Sequence, residues 1–160
     1  MASSQVESRL SSEGAPALTA PGGRAIILVV ERDPNVRDLE AFFLNEAGYA
    51  VEFAADGMAA LEMARIVKPH IIITEILVPK LDGLALCRAV KEDPALRGTA
   101  ILIFSILAAA RRARDAGADA FLMKPLADRR LVETVRALIA ARAASTVPPA
   151  PPSPLRRPIS

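Results

Sequence analysis

The sequence contains very few of the residues that build covalent or metal-based frameworks. Among its 160 residues are one cysteine, one histidine, one tyrosine and no tryptophan. The single cysteine, Cys87, excludes a disulfide framework and a thiolate zinc site, and the single histidine, His70, excludes a multi-histidine metal site. We therefore interpret Cys87 as an inert core residue and His70 as a surface or edge residue with no role as a base.

Long apolar runs are missing as well. No run reaches the ~18 residues that a membrane-spanning helix needs, so none is predicted. The sequence begins MASSQVESRLSSEG, which lacks the apolar core of a signal peptide. We therefore expect the protein to reside in the cytoplasm.

Charge of one sign is not in large excess. Lys and Arg total 20 and Asp and Glu total 18, which leaves a formal net charge of +2. The excess belongs to six residues near the chain ends: Arg9, Arg24, Arg156, Arg157, Glu7 and Glu13. The central part is balanced, so bulk electrostatics gives no reason to expect nucleic acid as a partner.

Composition divides the chain into three parts. Residues 1–24 are rich in Ser, Gly, Ala and Pro and indicate a flexible leader, while residues 145–160 form a Pro-rich, disordered tail. Spaced prolines in this tail suit a polyproline-binding groove, although a plain spacer is the simpler interpretation. Hydrophobic residues make up 52% of the chain, so residues 25–144 can bury a core and are predicted to form one domain.

Strand-like and helix-like segments alternate through this central part. The five predicted strands are Ile26–Val30, Tyr49–Phe53, His70–Thr74, Ala100–Phe104 and Ala120–Met123. Asp followed by Pro or Gly marks three helix starts, an Ala/Arg-rich segment before Gly117 predicts a short fourth helix, and Asp128 is the expected cap of a fifth. The pattern predicts an α/β fold: a five-stranded parallel sheet with helices on both faces, of the flavodoxin-like (βα)5 type.

Polar residues follow four of the predicted strands. They are Glu31-Arg32-Asp33, Glu75, Ser105 and Lys124-Pro125. In a parallel sheet the carboxyl ends of the strands meet at one edge, where ligands bind. One charged residue at a strand end is ordinarily just solvated, but four such segments at one edge predict a site.

Four stretches resemble the receiver domain of bacterial response regulators: IILVVERDPNVR, IIITEILVPKLDGLALCRAVK, ILIFS and AGADAFLMKP. The resemblance covers about residues 25–142. It implies a domain that accepts a phosphoryl group from a histidine kinase onto an Asp at the end of the third strand. It also implies two acids after the first strand that hold Mg²⁺, a Ser or Thr and a Lys that contact the phosphoryl oxygens, and an aromatic switch residue on the fifth strand.

Four positions match this pattern and two depart from it. By resemblance Glu31 is the first acid, Ser105 the hydroxyl, Lys124 the lysine and Phe121 the switch. Arg32 stands where the second metal-binding acid is expected, and Glu75 stands where the phospho-acceptor Asp is expected. The segment between Ser105 and Gly117 is also a few residues shorter than the family pattern.

The two departures predict a pocket that has lost its metal. Arg32 offers a fixed cation and no acceptor, so we expect Mg²⁺ binding to be weak or absent and the pocket to be neutral without it. We expect Arg32 to bridge to Glu75 or Glu31 in place of the ion. Glu75, one methylene longer than Asp, is expected to reach Ser105 or Lys124 and to imitate a phosphorylated Asp. Asp33 is the alternative metal ligand, although its stronger signal is as a helix cap.

Three of these assignments keep simpler alternatives. Ser105 can instead satisfy its own backbone, and Phe121 can be plain core packing. The Lys124-Pro125 peptide is cis in the family pattern, although X-Pro bonds are mostly trans.

Arginines concentrate on the last two predicted helices: Arg111, Arg112, Arg114, Arg129, Arg130 and Arg136. The resemblance makes the face formed by the fourth helix, fifth strand and fifth helix the usual partner surface. We expect it to bind a protein, either a histidine kinase or a downstream signalling protein. A solvated face is the alternative, because Asp115, Asp119, Asp128 and Glu133 are interleaved.

Three functions remain in consideration. The leading one is a single-domain receiver without an output domain, acting by protein contact in a two-component phosphorelay pathway and independent of phosphorylation. The second is a working response regulator that accepts phosphate on Glu75 or another residue. The third is a flavodoxin-like cofactor binder, which the absence of a phosphate-binding loop after the first strand disfavours. We do not expect a classical enzyme.

Overall fold

The computed structural model describes residues 23–125 and 128–145, so the predicted leader up to residue 22 and the predicted tail from residue 146 lie outside the described residues. The strands are β1 (Ile26–Val30), β2 (Ala50–Ala54), β3 (Ile71–Thr74), β4 (Ala100–Ser105) and β5 (Ala120–Met123). The helices are α1 (Pro34–Glu46), α2 (Gly57–Val67), α3 (Gly83–Glu92), α4 (Ala110–Asp115) and α5 (Asp128–Ser145), with a 3-10 turn at Pro94–Leu96. Each predicted strand is present within one residue of its expected bounds.

The five strands form one parallel sheet in the order β2-β1-β3-β4-β5. Val30 at the end of β1 lies in register with Ala54 of β2 and Thr74 of β3, and Thr74 pairs in turn with Ile103 of β4. The carboxyl ends of the strands therefore meet at one edge. This arrangement confirms the predicted fold class.

Two apolar layers cover the sheet. On one face Leu44 of α1 and Leu131 of α5 pack with Ile27 and Val29 of β1. On the other face α2, α3 and α4 pack against the alternate strand residues, represented by Leu28. Burial on both sides explains why the central strands are apolar throughout, and each fully buried aliphatic side chain stabilises the fold by roughly 1.5–3 kcal/mol.

Aspartate caps begin three of the helices, as the sequence predicts. The side chains of Asp33, Asp56 and Asp82 accept hydrogen bonds from the first-turn amides of α1, α2 and α3 at 2.9, 2.7 and 2.9 Å. These bonds satisfy amides that have no partner inside the helix. The corresponding prediction for Asp128 falls on a side chain outside the described residues.

Gly83 allows α3 to begin directly against the segment that follows β3. A Cβ at this position would lie 2.3 Å from the carbonyl oxygen of Glu75, which is closer than atoms can approach. The Gly83 amide donates to the carbonyl of Ile76 at 2.9 Å. This close approach positions the backbone around Glu75.

The single cysteine and the single histidine both have structural partners. Cys87 is fully buried, its thiol contacts the Ala116 carbonyl at 3.3 Å, and burial raises its pKa to about 11, in line with an inert core residue. His70 is half-buried, and its Nδ1 accepts a hydrogen bond from the Ile26 amide at 3.1 Å. The ring therefore provides a hydrogen-bond acceptor for the first backbone amide of β1 and does not simply face solvent. None of the described helices combines the length and apolar character that crossing a membrane requires.

Candidate functional site

Four side chains from distant parts of the chain meet at the carboxyl edge of the sheet. Glu31 follows β1, Glu75 follows β3, Ser105 ends β4 and Lys124 follows β5. The side chains of Glu31, Glu75 and Lys124 are only 5%, 6% and 9% exposed, and Ser105 is fully buried. Ionisable groups are rarely buried unless they are paired, so their mutual contacts determine how this edge behaves.

Lys124 is the central cation of the site. Its Nζ donates to Glu31 Oε2 and, at 3.1 Å, to Glu75 Oε2, and it also lies 5.2 Å from the centre of the Phe104 ring. Burial alone would lower the pKa of Lys124, but the hydrogen bonds and charges of the two glutamates raise it above its ordinary value. The ammonium therefore stays charged and joins strand ends that are 93 residues apart in the chain.

The Glu75 carboxylate is surrounded by hydrogen-bond donors. Its Oε1 accepts from the Ser105 hydroxyl and from the amides of Ile76 and Leu77, at 2.7 and 3.4 Å. Its Oε2 accepts from Lys124 and from the Ile106 amide at 3.2 Å. Burial alone would raise the pKa of Glu75, but the hydrogen bonds from Ser105 and Lys124 outweigh it and lower the pKa below 4.5.

Ser105 bonds both to the site and to its own backbone. Its Oγ donates to Glu75 Oε1 and accepts from the Leu107 amide at 3.1 Å. The expectation that Glu75 reaches Ser105 or Lys124 is therefore confirmed for both contacts. The local backbone bond that was the simpler alternative for Ser105 is also present, so the two interpretations do not exclude each other.

The prediction that Arg32 bridges to Glu31 or Glu75 is wrong. Its side chain is exposed, and among residues 23–125 and 128–145 it forms no ion pair. Arg32 lies at a bend between β1 and α1, and its side chain is in solvent although the neighbouring Glu31 is buried. Lys124 takes the place expected of Arg32, and the buried cluster of Glu31, Glu75 and Lys124 has a net charge of −1 rather than zero.

The residues present do not fit the magnesium site that the resemblance implies. Within the described part of the chain, no group of three or more Asp, Glu, His or Cys side chains could hold a metal ion. Both glutamates already bond to Lys124, and Asp33 is exposed with its Oδ1 on the Asn35 amide. An ammonium thus stands among the oxygens that would otherwise be ligands. Weak or absent Mg²⁺ binding stays a prediction.

Glu40 is a buried acid that the sequence analysis missed. It lies on α1, is 4% exposed, and its Oε2 has no hydrogen-bond partner among the described residues. Burial raises its pKa to about 8, with Glu31 and Glu75 adding to the rise and Lys124 opposing it. A signal was available, because Glu40 is four residues from both Val36 and Leu44 on the apolar side of the helix.

The remaining predicted features lie on the side of β5. Phe121 is half-buried and packs against the α2–α4 layer, and the Lys124-Pro125 peptide is cis, as the resemblance implies. All six predicted arginines of α4 and α5 are exposed. Two of the interleaved acids have partners, since Asp119 pairs with Lys91 at 2.6 Å and Glu133 with Arg129 at 4.0 Å.

A doubly wound parallel sheet with a lysine and two acids at its carboxyl edge defines the class of protein. The sequence profile of the response regulator receiver domain matches residues 27–136. The chain therefore belongs to the response regulator receiver domain family. The flavodoxin-like cofactor binder is no longer needed to account for the sheet.

Individual relatives agree with this assignment. The chain is 38% identical over 120 residues to the response regulator MprA of Mycobacterium tuberculosis, covering 71% of this chain and 50% of that protein. It is 31% identical over 116 residues to the DNA-binding dual master transcriptional regulator RpaA of Synechocystis, covering 71% of this chain and 48% of that protein. The chain thus spans about half the length of these curated relatives.

Solved structures show the same fold. The chemotaxis response regulator CheY4 of Vibrio cholerae superposes with a TM-score of 0.68 at 28% identity, over 72% of this chain and 98% of that one. The receiver domain of the sensor histidine kinase PA1611 of Pseudomonas aeruginosa superposes with a TM-score of 0.68 at 26% identity, over 73% of this chain and 98% of that one. In that receiver domain a magnesium ion is coordinated in the active-site cleft.

Membership of this family gives the general role. Receiver domains are signalling domains of two-component systems, and they interact with histidine kinases and downstream effectors. The relatives named above are bacterial. The cytoplasmic location and the absence of any catalytic activity stay predictions for this chain.

Proposed function

We propose that this chain is a pseudo-receiver, which signals by protein contact without being phosphorylated. The observation that supports it is the environment of Glu75, whose carboxylate accepts hydrogen bonds from both Ser105 and Lys124. By resemblance these are the two side chains that contact phosphoryl oxygens. Glu75 therefore accepts the hydrogen bonds that a phosphoryl group would accept. The pocket holds one conformation without a kinase.

Transfer of a phosphoryl group to Glu75 would be opposed by the contacts that hold it. Phosphoryl transfer to a carboxylate depends on positioning and on neutralising charge. Both oxygens of Glu75 are already bonded to donors, and the cation beside them is Lys124. A phosphoryl group on Oε2 would displace two hydrogen bonds, and one on Oε1 would displace three, without a divalent ion to balance its charge.

A working receiver is the second candidate, because three of its elements are in place. Glu31, Ser105 and Lys124 converge as the resemblance requires, and only the acceptor and the second acid differ. The two candidates make opposite predictions for a small phosphodonor. In the first, the chain stays unmodified; in the second, Glu75 or another residue gains a phosphoryl group.

Mass spectrometry after incubation with acetyl phosphate and Mg²⁺ separates these candidates. We expect the native chain to gain no phosphoryl group, whereas the double variant Arg32→Asp, Glu75→Asp is the positive control because it restores both family residues. Modification of the native chain at Glu75 would overturn the proposal. In the double variant, phosphorylation at position 75 would also show that the remaining pocket is competent.

The partner surface is proposed to be the face formed by α4, β5 and α5, binding an acidic protein. Six exposed arginines lie there, and Asp119 is already paired with Lys91. This leaves the described part of the face positively charged. If the face is merely solvated, replacing Arg111 and Arg112 with glutamine will not change partner capture from lysate of the native cell.

Partner affinity also tests the role of Glu75 itself. Glu75→Gln keeps the size of the side chain but removes the charge that Lys124 pairs with, so we expect partner affinity to fall at least about fivefold. The matched control is Glu52→Gln, which makes the same change at an exposed position on β2. Equal affinity of the native chain and the Glu75 variant would contradict the phosphate-mimic argument.

A further inference from the structure

A small cavity opens at the amino edge of the sheet, at the opposite end of the strands from the signalling site. Residues of α3, α5 and the start of β4 line it, and its volume is about 210 Å³. With a rise of ~3.3 Å per strand residue, Ala100 at the start of β4 lies about 16 Å from Ser105 at its end. The cavity is therefore separate from the buried cluster of Glu31, Glu75 and Lys124.

The charged residues that line this cavity are mainly positive. They are Lys91, Arg97, Arg142 and Asp119, which together have a net charge of +2. The one acid among them is already bonded, because Asp119 Oδ2 accepts hydrogen bonds from Lys91 Nζ at 2.6 Å and from the Ile101 amide at 2.7 Å. The carbonyl end of α5 adds roughly half a negative charge, so the lining remains positive.

Two arginines supply the donors that suit an oxyanion. The guanidinium of Arg142 is held against the cavity wall, since its Nε donates to the Gly98 carbonyl and a Cβ at Gly98 would lie only 3.3 Å from its Nη2. Arg97 is exposed at the same wall and forms no ion pair with any residue of 23–125 or 128–145. Because a guanidinium presents its N–H groups in a plane, it matches the oxygens of a phosphate in direction as well as in charge.

The uncharged part of the wall limits the size of a ligand. Ala100, Leu138 and Ala141 contribute apolar surface, and the Thr99 hydroxyl is already used, because it donates to the Pro69 carbonyl at 2.8 Å. A volume of 210 Å³ equals about seven water molecules at ~30 Å³ each, which is below the ~300 Å³ of the smallest pockets for drug-sized ligands. The cavity therefore suits a phosphate group with at most a small organic substituent.

The positive potential of this region reaches the neighbouring strand end. Burial, together with the charge of Arg142, lowers the pKa of His70, whose carbonyl accepts a hydrogen bond from the Ala100 amide at 3.0 Å. The field of Arg142 thus extends from α5 to the residue beside the start of β4. An anion in the cavity would lie within that field and be attracted by it.

We propose that this cavity binds a small molecule through a dianionic phosphate group. The dianion balances the net charge of +2, Arg97 and Arg142 donate to its oxygens, and an organic substituent packs on Leu138. Free phosphate and a small phosphate ester share this chemistry. The proposal is independent of whether Glu75 accepts a phosphoryl group, since none of the residues that line the cavity belongs to the signalling site.

The test compares three ligands of similar size on the native chain: phenyl phosphate, benzenesulfonate and benzyl alcohol. At about pH 7.5 a phosphate monoester is a dianion, whereas the sulfonate is a monoanion and the alcohol is neutral. Binding is measured by calorimetry and by amide chemical shifts in about 0.15 M salt, where exposed charges are screened beyond ~8 Å. We expect phenyl phosphate to bind with a Kd below about 1 mM, benzenesulfonate at least about threefold more weakly, and benzyl alcohol weakest.

Inorganic phosphate, titrated in the same way, separates the two sources of the group. Affinity equal to that of phenyl phosphate supports free phosphate as the ligand, and weaker affinity supports an ester. The amides of Gly98 and Ala100 should shift on binding, whereas those around Glu75 should not. Lack of binding by both phosphates, equal affinity for benzyl alcohol, or shifts confined to the signalling site would each overturn the proposal.

A variant separates the positive charge from the shape of the cavity. Arg97 is exposed, so Arg97→Gln should leave the fold intact, and we expect it to weaken the binding of phenyl phosphate at least about fivefold and to leave that of benzyl alcohol unchanged. Arg32→Gln is the matched control, because it removes the same charge from an exposed arginine at the opposite edge of the sheet. Equal losses of affinity in the two variants would contradict a phosphate site at Arg97.

Discussion

Replacing Lys124 with methionine should destabilise the protein by about 3–5 kcal/mol near neutral pH, because it leaves two buried carboxylates without their cation. Lys124 is 9% exposed, and its partners Glu31 and Glu75 are 5% and 6% exposed. Methionine keeps the length and apolar surface of the lysine stem. The change therefore removes mainly the ammonium and little of the packing.

The magnitude follows from the geometry of the pair with Glu75. At 3.1 Å and an effective dielectric constant of about 20, the Lys124–Glu75 attraction is roughly 5 kcal/mol before desolvation is subtracted. Glu31 adds a second attraction of the same kind. The gross attraction is partly offset by the cost of burying the ammonium, which leaves a net loss of the size that breaking a buried ion pair typically causes.

The loss should depend on pH in a defined direction. The hydrogen bonds from Ser105 and Lys124 outweigh burial and lower the pKa of folded Glu75 below its ordinary value of 4.5. In the native chain Glu75 therefore contributes stability above pH 4.5 that disappears as the pH falls through its folded pKa. Without Lys124 much of that contribution is absent. The difference in free energy of unfolding between the native chain and the variant should therefore shrink below about pH 4.5.

Urea denaturation at several pH values measures the effect, and Lys91→Met is the matched control. Lys91 pairs with Asp119 at 2.6 Å, but both side chains are about one-third exposed, so that change should cost less than about 1 kcal/mol. A loss below about 1 kcal/mol for the Lys124 variant, or an equal loss at every pH, would refute the argument that Lys124 stabilises the two buried carboxylates.

Three further predictions concern other buried groups. Glu40→Leu should stabilise the chain at pH 8 by on the order of 4 kcal/mol. The reason is that burial raises the pKa of Glu40 from 4.5 to about 8, so native stability falls as the pH rises from 4.5 towards 8. Urea denaturation at pH 8 that shows no gain in stability would contradict this. Burial and the charge of Arg142 lower the pKa of His70, so native stability should fall as the pH drops below 6.5. In thermal melts, His70→Asn should remove this part of the pH dependence. The Cys87 thiol should react with a disulfide reagent only as fast as the chain unfolds, so rapid labelling in native buffer would disprove its burial.

Most of the fold could be predicted from local patterns. Four short apolar runs, one alternating segment (Tyr49–Phe53) and three Asp-Pro or Asp-Gly signals predict the strands and helix starts. Burial of the strands and unpaired first-turn amides of the helices select those residues directly. The helix from Pro34 to Glu46 illustrates the limit. Its apolar positions and cap are evident, but the burial of Glu40 within it depends on which other elements cover that face.

The location of the site was predictable, and its contacts were predictable in part. Strand ends in a parallel sheet share an edge, so Glu31, Glu75, Ser105 and Lys124 were expected to meet there. The contact of Glu75 with Lys124 was expected and is confirmed, whereas the expected bridge from Arg32 to the acids is wrong. Arg32 is adjacent to Glu31 in the chain yet faces solvent, whereas Lys124 is 93 residues away and enters the cluster.

Residue type and spacing alone were sufficient to predict the order of strands and helices, the edge at which polar groups gather, and Glu75 at the position where the family pattern has aspartate. The pairing of Lys124 with both acids, and the lack of a hydrogen-bond partner for Glu40 Oε2 among residues 23–125 and 128–145, were not evident before the elements were packed together. The physical reason is that the energy of a buried charge depends on its distance to other charges and on its loss of water, and both are set by elements packed together from distant parts of the chain.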